Sequence, residues 1–409
     1  MSRQLEKTGS QYARGAGHES ASASHGTIVD IELLRAIAVL FVLVEHARIN
    51  LFTWVGGVHE PLYVYFGFWT GVDLFFAISG FVIARSLLPK LAAANDSTAF
   101  FNAVLAFWVR RAWRLLPSAW LWLGIIMLLV IIFNRSGAFG TFRANFEGTI
   151  AAILYVANFR IVHVFLRAPT GANFPYWSLS LEEQFYILLP LVVFAARRWL
   201  PYVLGAAVLA QLFVQRSGNL GIGLLLNQIR SDALLLGVLI AIWSRHATYR
   251  LFEPVGLRQH PLVSVIVLAG LVFALAAAGS EGLNLVPFRI GLVAILSAAL
   301  VLIASYDQDY LCPNGPLKQI MLWIGARSYA LYLTHIPAYL AAREIWFRIE
   351  PPDTVFDSAY GLRLGLTATV LLLLFTEANY RFIEVPFRRR GARIAERLGR
   401  RVAAYPAEP

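Results

Sequence analysis

Two histidines, His46 and His335, stand inside runs of apolar residues, where an ionisable side chain is expensive and therefore a functional candidate. Imidazole takes up and returns a proton near neutral pH, which makes each a candidate general base. Arg35 precedes His46 by eleven residues. On a helix that spacing puts both on one face, about 16 Å apart along the axis. Ser328-Tyr-Ala-Leu-Tyr332-Leu-Thr-His335 repeats at i, i+4, i+7 and predicts a single polar stripe carrying the second histidine.

Carboxylates and arginines supply the other chemistry. In Tyr176-Trp177-Ser-Leu-Ser-Leu-Glu182-Glu183-Gln-Phe-Tyr186, two adjacent acids open an apolar run, with Tyr186 one turn below both. Acids also suit a helix N-terminus, but the surrounding aromatics argue against simple solvated charges. Glu45 adjoins His46, and Asp73 lies near the outer end of its run. Ser79 lacks a nucleophile elbow, so Ser79-Gly80 reads as a close-packing pair. Arg230 and Asp232 are spaced for a local ion pair, and Glu384 and Arg388 for a structural one. Arg110, Arg111 and Arg114 are either positive-inside anchors or a clamp for phosphate, which guanidinium groups bind bidentately.

Composition dictates what must position these groups. Of 409 residues only 35 are Lys or Arg and 24 are Asp or Glu, while 58% are hydrophobic and the mean hydropathy is +0.62. So few charges cannot cover that much apolar surface in water. A conventional soluble enzyme, a disordered chain and a nucleic-acid module are excluded; the fold class is all-α, a polytopic membrane protein. Ten apolar runs begin near Leu33, Thr70, Leu115, Leu181, Trp199, Ala233, Pro261, Pro287, Met321 and Leu362. A weaker run, Gly148 to Phe165, is broken by Asn158, Arg160 and His163 and reads as re-entrant or interfacial. About ten crossings with both termini cytoplasmic place the Arg clusters, including Arg197, Arg198 and Arg245, on the inner side. His46, Asp73, Glu182, Glu183, Arg230, Asp232 and His335 then fall in the outer half, and Arg35, Arg110, Arg111 and Arg114 in the inner.

Residues 1–28 are polar and read as a flexible cytoplasmic tail, 29–386 as the transmembrane domain, and 387–409 as a basic cytoplasmic tail that can form an amphipathic helix on the inner leaflet. The lone Cys312 excludes a disulfide framework, and no metal-ligand spacing occurs. The net charge of +11 is a topology signal and a source of lipid headgroup contacts rather than a sign of a polyanion partner.

Taken in order, the stretches resemble the acyltransferase-3 family of bacterial integral-membrane O-acyltransferases. The resemblance rests on Arg35-x10-His46, Gly71-Val-x-Leu-Phe-Phe-x-x-Ser79-Gly80-Phe, Arg111-x-x-Arg114, Trp177-Ser-Leu-x-x-Glu182-Glu183-Gln-Phe-Tyr186 and Arg230-x-Asp232. It is completed by Ser328-Tyr-x-x-Tyr332-Leu-x-His335-x-Pro337 and Glu384-x-Pro386. It implies transfer of an acyl group, usually acetyl, from cytoplasmic acyl-CoA to a hydroxyl of a surface polysaccharide or lipid-linked glycan, in the bacterial inner membrane. Some relatives carry a further soluble esterase-like domain; none is expected in a chain ending shortly after its last apolar run.

With that reading, Arg110, Arg111 and Arg114 would hold the phosphates of acetyl-CoA, and the pantetheine arm would thread past Arg35 towards His46. His46 would serve as base or as an acylated relay, oriented by Glu45 or Glu182. Asp73, Glu183, Asp232 and His335 would hold the sugar, with Trp177, Tyr186 and Tyr332 lining its site. Arg230 or a backbone N–H would face the oxyanion. A glycan or lipid flippase is the alternative that ten spans with buried charges also suit, and a non-catalytic sensor or assembly subunit is a third.

Overall fold

The computed structural model describes residues 28–54, 60–164, 169–214, 216, 221–280, 282 and 286–403. The expected N-terminal tail thus lies, up to residue 27, outside the described residues. Among the described residues the regular structure is helical, with no strand. The principal helices are α1 (Val29–Asn50), α2 (Thr70–Ala92), α3 (Ser97–Ile132), α4 (Phe142–Ile153), α5 (Ala157–Val164), α6 (Tyr176–Ala196) and α7 (Leu200–Leu212). They continue with α8 (Asp232–Trp243), α9 (Pro261–Ala278), α10 (Arg289–Ser305), α11 (Pro316–Ala326), α12 (Ser328–Ile349), α13 (Gly361–Ala378) and α14 (Val385–Ala403).

Among the described residues, five helical stretches are long and apolar enough to cross a bilayer: Thr70–Ala92, Ser97–Ile132, Tyr176–Leu212, Gly223–Trp243 and Ser358–Leu398. Leu262–Ala278 and Arg289–Ser305 are apolar but shorter. Helices α1 and α12, 22 residues each, have the length for a crossing but carry the candidate site charges. Over the weak run, α4 and α5 have 12 and 8 residues, about 18 and 12 Å, and neither reaches across a core of about 30 Å. The chain breaks between them at Tyr155, a non-glycine residue with φ +58°.

The distribution of side chains is that of a protein dissolved in lipid. Leu262, Ile266 and Phe273 of α9 and Leu366, Val370 and Leu374 of α13 point outward, whereas Asp73, Asp232, Thr334, His335 and Glu344 are buried. Close helix contact holds this interior together. An added Cβ at Gly80 would stand 2.0 Å from the Leu234 carbonyl oxygen, and one at Gly237 would stand 2.1 Å from that of Ala77, so α2 and α8 touch backbone to backbone. Only hydrogen at both positions permits that approach. The expected packing role of Gly80 is thus met.

Helix α1 starts on a carboxylate lent by a distant loop: Asp307 Oδ1 accepts the Val29 N–H at 2.8 Å, meeting a backbone donor that the first turn leaves unpaired. Helix α3, about 54 Å long at 36 residues, outruns the bilayer core. Its first half is flanked by the basic helix α14, through Trp113 stacked on Phe387 at 5.8 Å and Gly391 pressed against the Trp113 side chain. The C-terminal segment from Val385 is therefore helical, as its sequence suggests, and docked on α3 rather than free.

Candidate active site

The two histidines, 289 residues apart in sequence, meet where α1 packs on α12. His46 Nδ1 and His335 Nε2 are 2.8 Å apart, with the rings stacked at a centroid distance of 5.0 Å. His335 is fully buried, and its Nδ1 lies 2.7 Å from the Tyr332 carbonyl oxygen one turn earlier. A carbonyl only accepts, so His335 Nδ1 carries the hydrogen and its Nε2, in the neutral ring, is an acceptor. His46 must then donate from Nδ1. The order of donors leaves the lone pair of His46 on Nε2. Phe174 stands edge-on to His46 at 5.1 Å and fixes the ring plane from the other side.

A cleft of about 670 Å³, open mouth included, lies between α1, α2, α3, α6 and α12. Arg35, Arg111 and Arg114 line it together with Ser79, Glu182 and Tyr186, and Tyr332 and Ser178 close its far end. Cross-helix bonds hold this frame: Tyr329 Oη donates to the Leu115 carbonyl at 2.7 Å, Tyr176 Oη to the Ala119 carbonyl at 2.9 Å, and Trp108 Nε1 to the Tyr186 carbonyl at 3.0 Å. Glu182 accepts from the Tyr186 hydroxyl and from Ser79. The Arg111 guanidinium sits over the Tyr186 ring, 5.3 Å from its centroid. Arg114 keeps its Nε buried and without a hydrogen-bond partner.

Tyr332 joins the cleft to the histidines. Its hydroxyl donates to the Pro175 carbonyl at 2.9 Å and lies 2.6 Å from Ser178 Oγ, while its backbone carbonyl holds His335. Tyr332 thus lines the cleft with Arg111, Arg114 and Glu182 by its side chain and holds the histidine pair by its carbonyl.

A third group is a pair of buried ion pairs. Arg230 Nε and Nη2 grip Asp73 Oδ1 and Oδ2, both at 2.9 Å, and Arg230 Nη1 donates to the carbonyl and side-chain oxygens of Asn227. Trp177 and Trp69 flank the guanidinium at 5.0 and 5.4 Å. Asp232 is held instead by Arg216 Nη2 at 2.9 Å.

Several sequence expectations change here. Arg230 and Asp232 do not pair locally; each finds a partner on another segment, because the N-terminus of α8 faces that of α2 and the chain around residue 216. Glu182 stands with the arginines, not with the histidines, and the Nδ1 partner of His46 is His335 rather than a carboxylate. Glu45, about 100° round α1 from His46, neighbours Tyr63. Glu183 turns away from the cleft, into a neighbouring apolar recess with Trp120 and Tyr155. Arg110 does not line the cleft and stands beside Lys90 and Glu396. Glu384 pairs with Arg388 at 3.8 Å, as spaced, and also faces Arg114.

Sequence reading missed Arg216, Ser178 and Phe174. The first lies between apolar runs, where the sequence carries no periodicity. The other two are an ordinary hydroxyl and an ordinary aromatic whose roles come only from what faces them.

The chain matches the family model for the acyltransferase domain over residues 28–376. YrhL of Bacillus subtilis is 30% identical over 393 residues, covering 90% of this chain and 56% of that protein. The O-acetyltransferase OatA of Staphylococcus aureus is 27% identical over 377 residues (88% and 57%), and the peptidoglycan O-acetyltransferase OatA of Listeria monocytogenes 28% over 391 (89% and 56%). The chain thus spans somewhat over half the length of these relatives. No solved structure matches it. By the extent of the domain match, the chain belongs to the acyltransferase-3 family.

Proposed function

We propose that the chain is a membrane O-acetyltransferase that moves an acetyl group from acetyl-CoA to a hydroxyl of a cell-surface or lipid-linked glycan, with His46 as the base. The observation that carries this reading is the hydrogen-bond order Tyr332 carbonyl, His335, His46, which leaves the lone pair of His46 on Nε2. A neutral imidazole oriented by a buried neighbour is the arrangement general-base catalysis requires. The relatives' names point to peptidoglycan as the acceptor.

The donor belongs in the arginine-lined cleft. Arg35, Arg111 and Arg114 offer charge-assisted donors to the phosphates of CoA, and the unpartnered Arg114 Nε suits such a guest. About 16 Å of helix separates Arg35 from His46, a distance the pantetheine arm would follow past Tyr332. The acceptor oxygen attacks the thioester carbon as His46 Nε2 takes its proton. The C–S bond then breaks, and the CoA thiolate leaves and recovers the proton from His46. The Nδ1–H bond to His335 holds the imidazolium in place while the charge exists.

This reading moves His335 from the acceptor site to the base, and makes Asp73, Arg230, Asp232 and Trp177 a scaffold beneath it. It includes the ten crossings, both termini on the cytoplasmic side and an inner-membrane location. Purified protein in lipid discs, incubated with labelled acetyl-CoA and glycan fragments, tests it: free CoA and labelled glycan should appear together and only with acceptor. Release of CoA without glycan labelling, or neither product, would refute it.

A further inference from the structure

At the end of the bundle where α1 begins, three turns of the chain come together: α2 passes into α3 at Asp96, α6 reverses into α7 at Arg197, and α8 ends before Arg245. They surround a recess of about 1390 Å³ that is separate from the cleft described above. Its rim carries Arg197, Arg198 and Arg245, all exposed and none in an ion pair among the described residues. Its walls are apolar, with Leu91, Phe100 and Phe194 prominent and the two phenyl rings 5.3 Å apart.

The reversal itself is strained. Arg197 has φ +47°, a conformation that disfavours any residue with a Cβ. That turn places two consecutive arginines at the rim, beside the start of α7 at Leu200 and Pro201. The counter-charge is Asp96, one of whose oxygens is engaged in capping α3 through the Ala99 N–H at 2.6 Å. Three cations against one engaged carboxylate, beside an aromatic slot, fit an anionic amphiphile: charge at the rim, chain in the slot.

We propose that this recess seats one anionic phospholipid, its phosphate on Arg197, Arg198 and Arg245 and an acyl chain along Phe100 and Phe194. The site is independent of the catalytic reading.

The test uses the full chain, purified in detergent and washed free of lipid, with native mass spectrometry after adding phosphatidylglycerol or phosphatidylcholine of matched chains. One phosphatidylglycerol per chain should be retained, at least about tenfold over phosphatidylcholine. An Arg197→Gln/Arg198→Gln/Arg245→Gln variant with unchanged melting temperature should lose that preference. A photoactivatable phosphatidylglycerol on wild-type protein gives a readout that needs no variant: its label should map to residues 88–100 and 193–201. Equal retention of the two lipids, undiminished preference in the folded variant, or label spread without enrichment there would overturn the proposal. Displacement of the lipid by millimolar inorganic phosphate would overturn it too, reassigning the rim to a free anion.

Discussion

His46 Nδ1 lies 2.8 Å from His335 Nε2, and that bond has one workable direction because the other nitrogen of His335 is committed to the Tyr332 carbonyl. A buried histidine thus fixes which nitrogen of its neighbour is free. His335→Ala should lower kcat by about 100-fold with little change in KM for acetyl-CoA, since orientation of the base is lost and the donor site is untouched. His335→Gln, whose side chain retains an acceptor, should restore part of the rate. An equal loss in both variants, accompanied by a lower melting temperature, would assign His335 to packing alone.

Arg111 and Arg114 bear on the donor. Replacing both with Gln removes two charge-assisted contacts of about 1.5–3 kcal/mol each, so KM for acetyl-CoA should rise by at least about 100-fold while acceptor KM stays put. Calorimetric titration with CoA checks this directly. Arg110→Gln, beside Lys90 and Glu396, should have a much smaller effect.

The Arg230–Asp73 fork is a stability element. Asp73→Ala leaves a buried guanidinium unpaired between two tryptophans and should cost about 3–5 kcal/mol, read as a large fall in melting temperature or in folded yield. Adding Arg230→Met to Asp73→Ala should recover much of that loss, because no unpaired charge then remains buried there; the Arg216–Asp232 pair stays intact.

The free His46 Nε2 can accept a proton or an acyl group, and the two differ in what the chain retains. With His46 as a base, labelled acetyl-CoA without acceptor should leave no label on the protein after rapid quenching. Stoichiometric label on the His46 peptide would replace the base by a covalent relay.

How much of this was legible in the sequence follows from what periodicity carries. Helical spacing gave the faces of single helices: Arg35 with His46, Ser328 with Tyr332 and His335, Glu384 with Arg388. Composition gave the membrane class, and Gly80 the close approach of α2 to α8. The axial offset between helices is not encoded in any one of them. Spacing alone therefore groups Glu182 with the histidines, whereas the α3–α6 packing through Trp108 and Tyr176 sets it beside Arg111. Arg230 and Asp232 looked like partners because neighbours in sequence are visible, and Arg216 and Asp73 were the partners because neighbours in space are not.

The most direct test of the central claim is the acetyl-transfer rate of His46→Ala in lipid discs, measured alongside its CoA affinity and melting temperature. Acceptor-dependent transfer should fall by about 10²–10⁴-fold with affinity and stability preserved. Transfer at the wild-type rate would contradict the account.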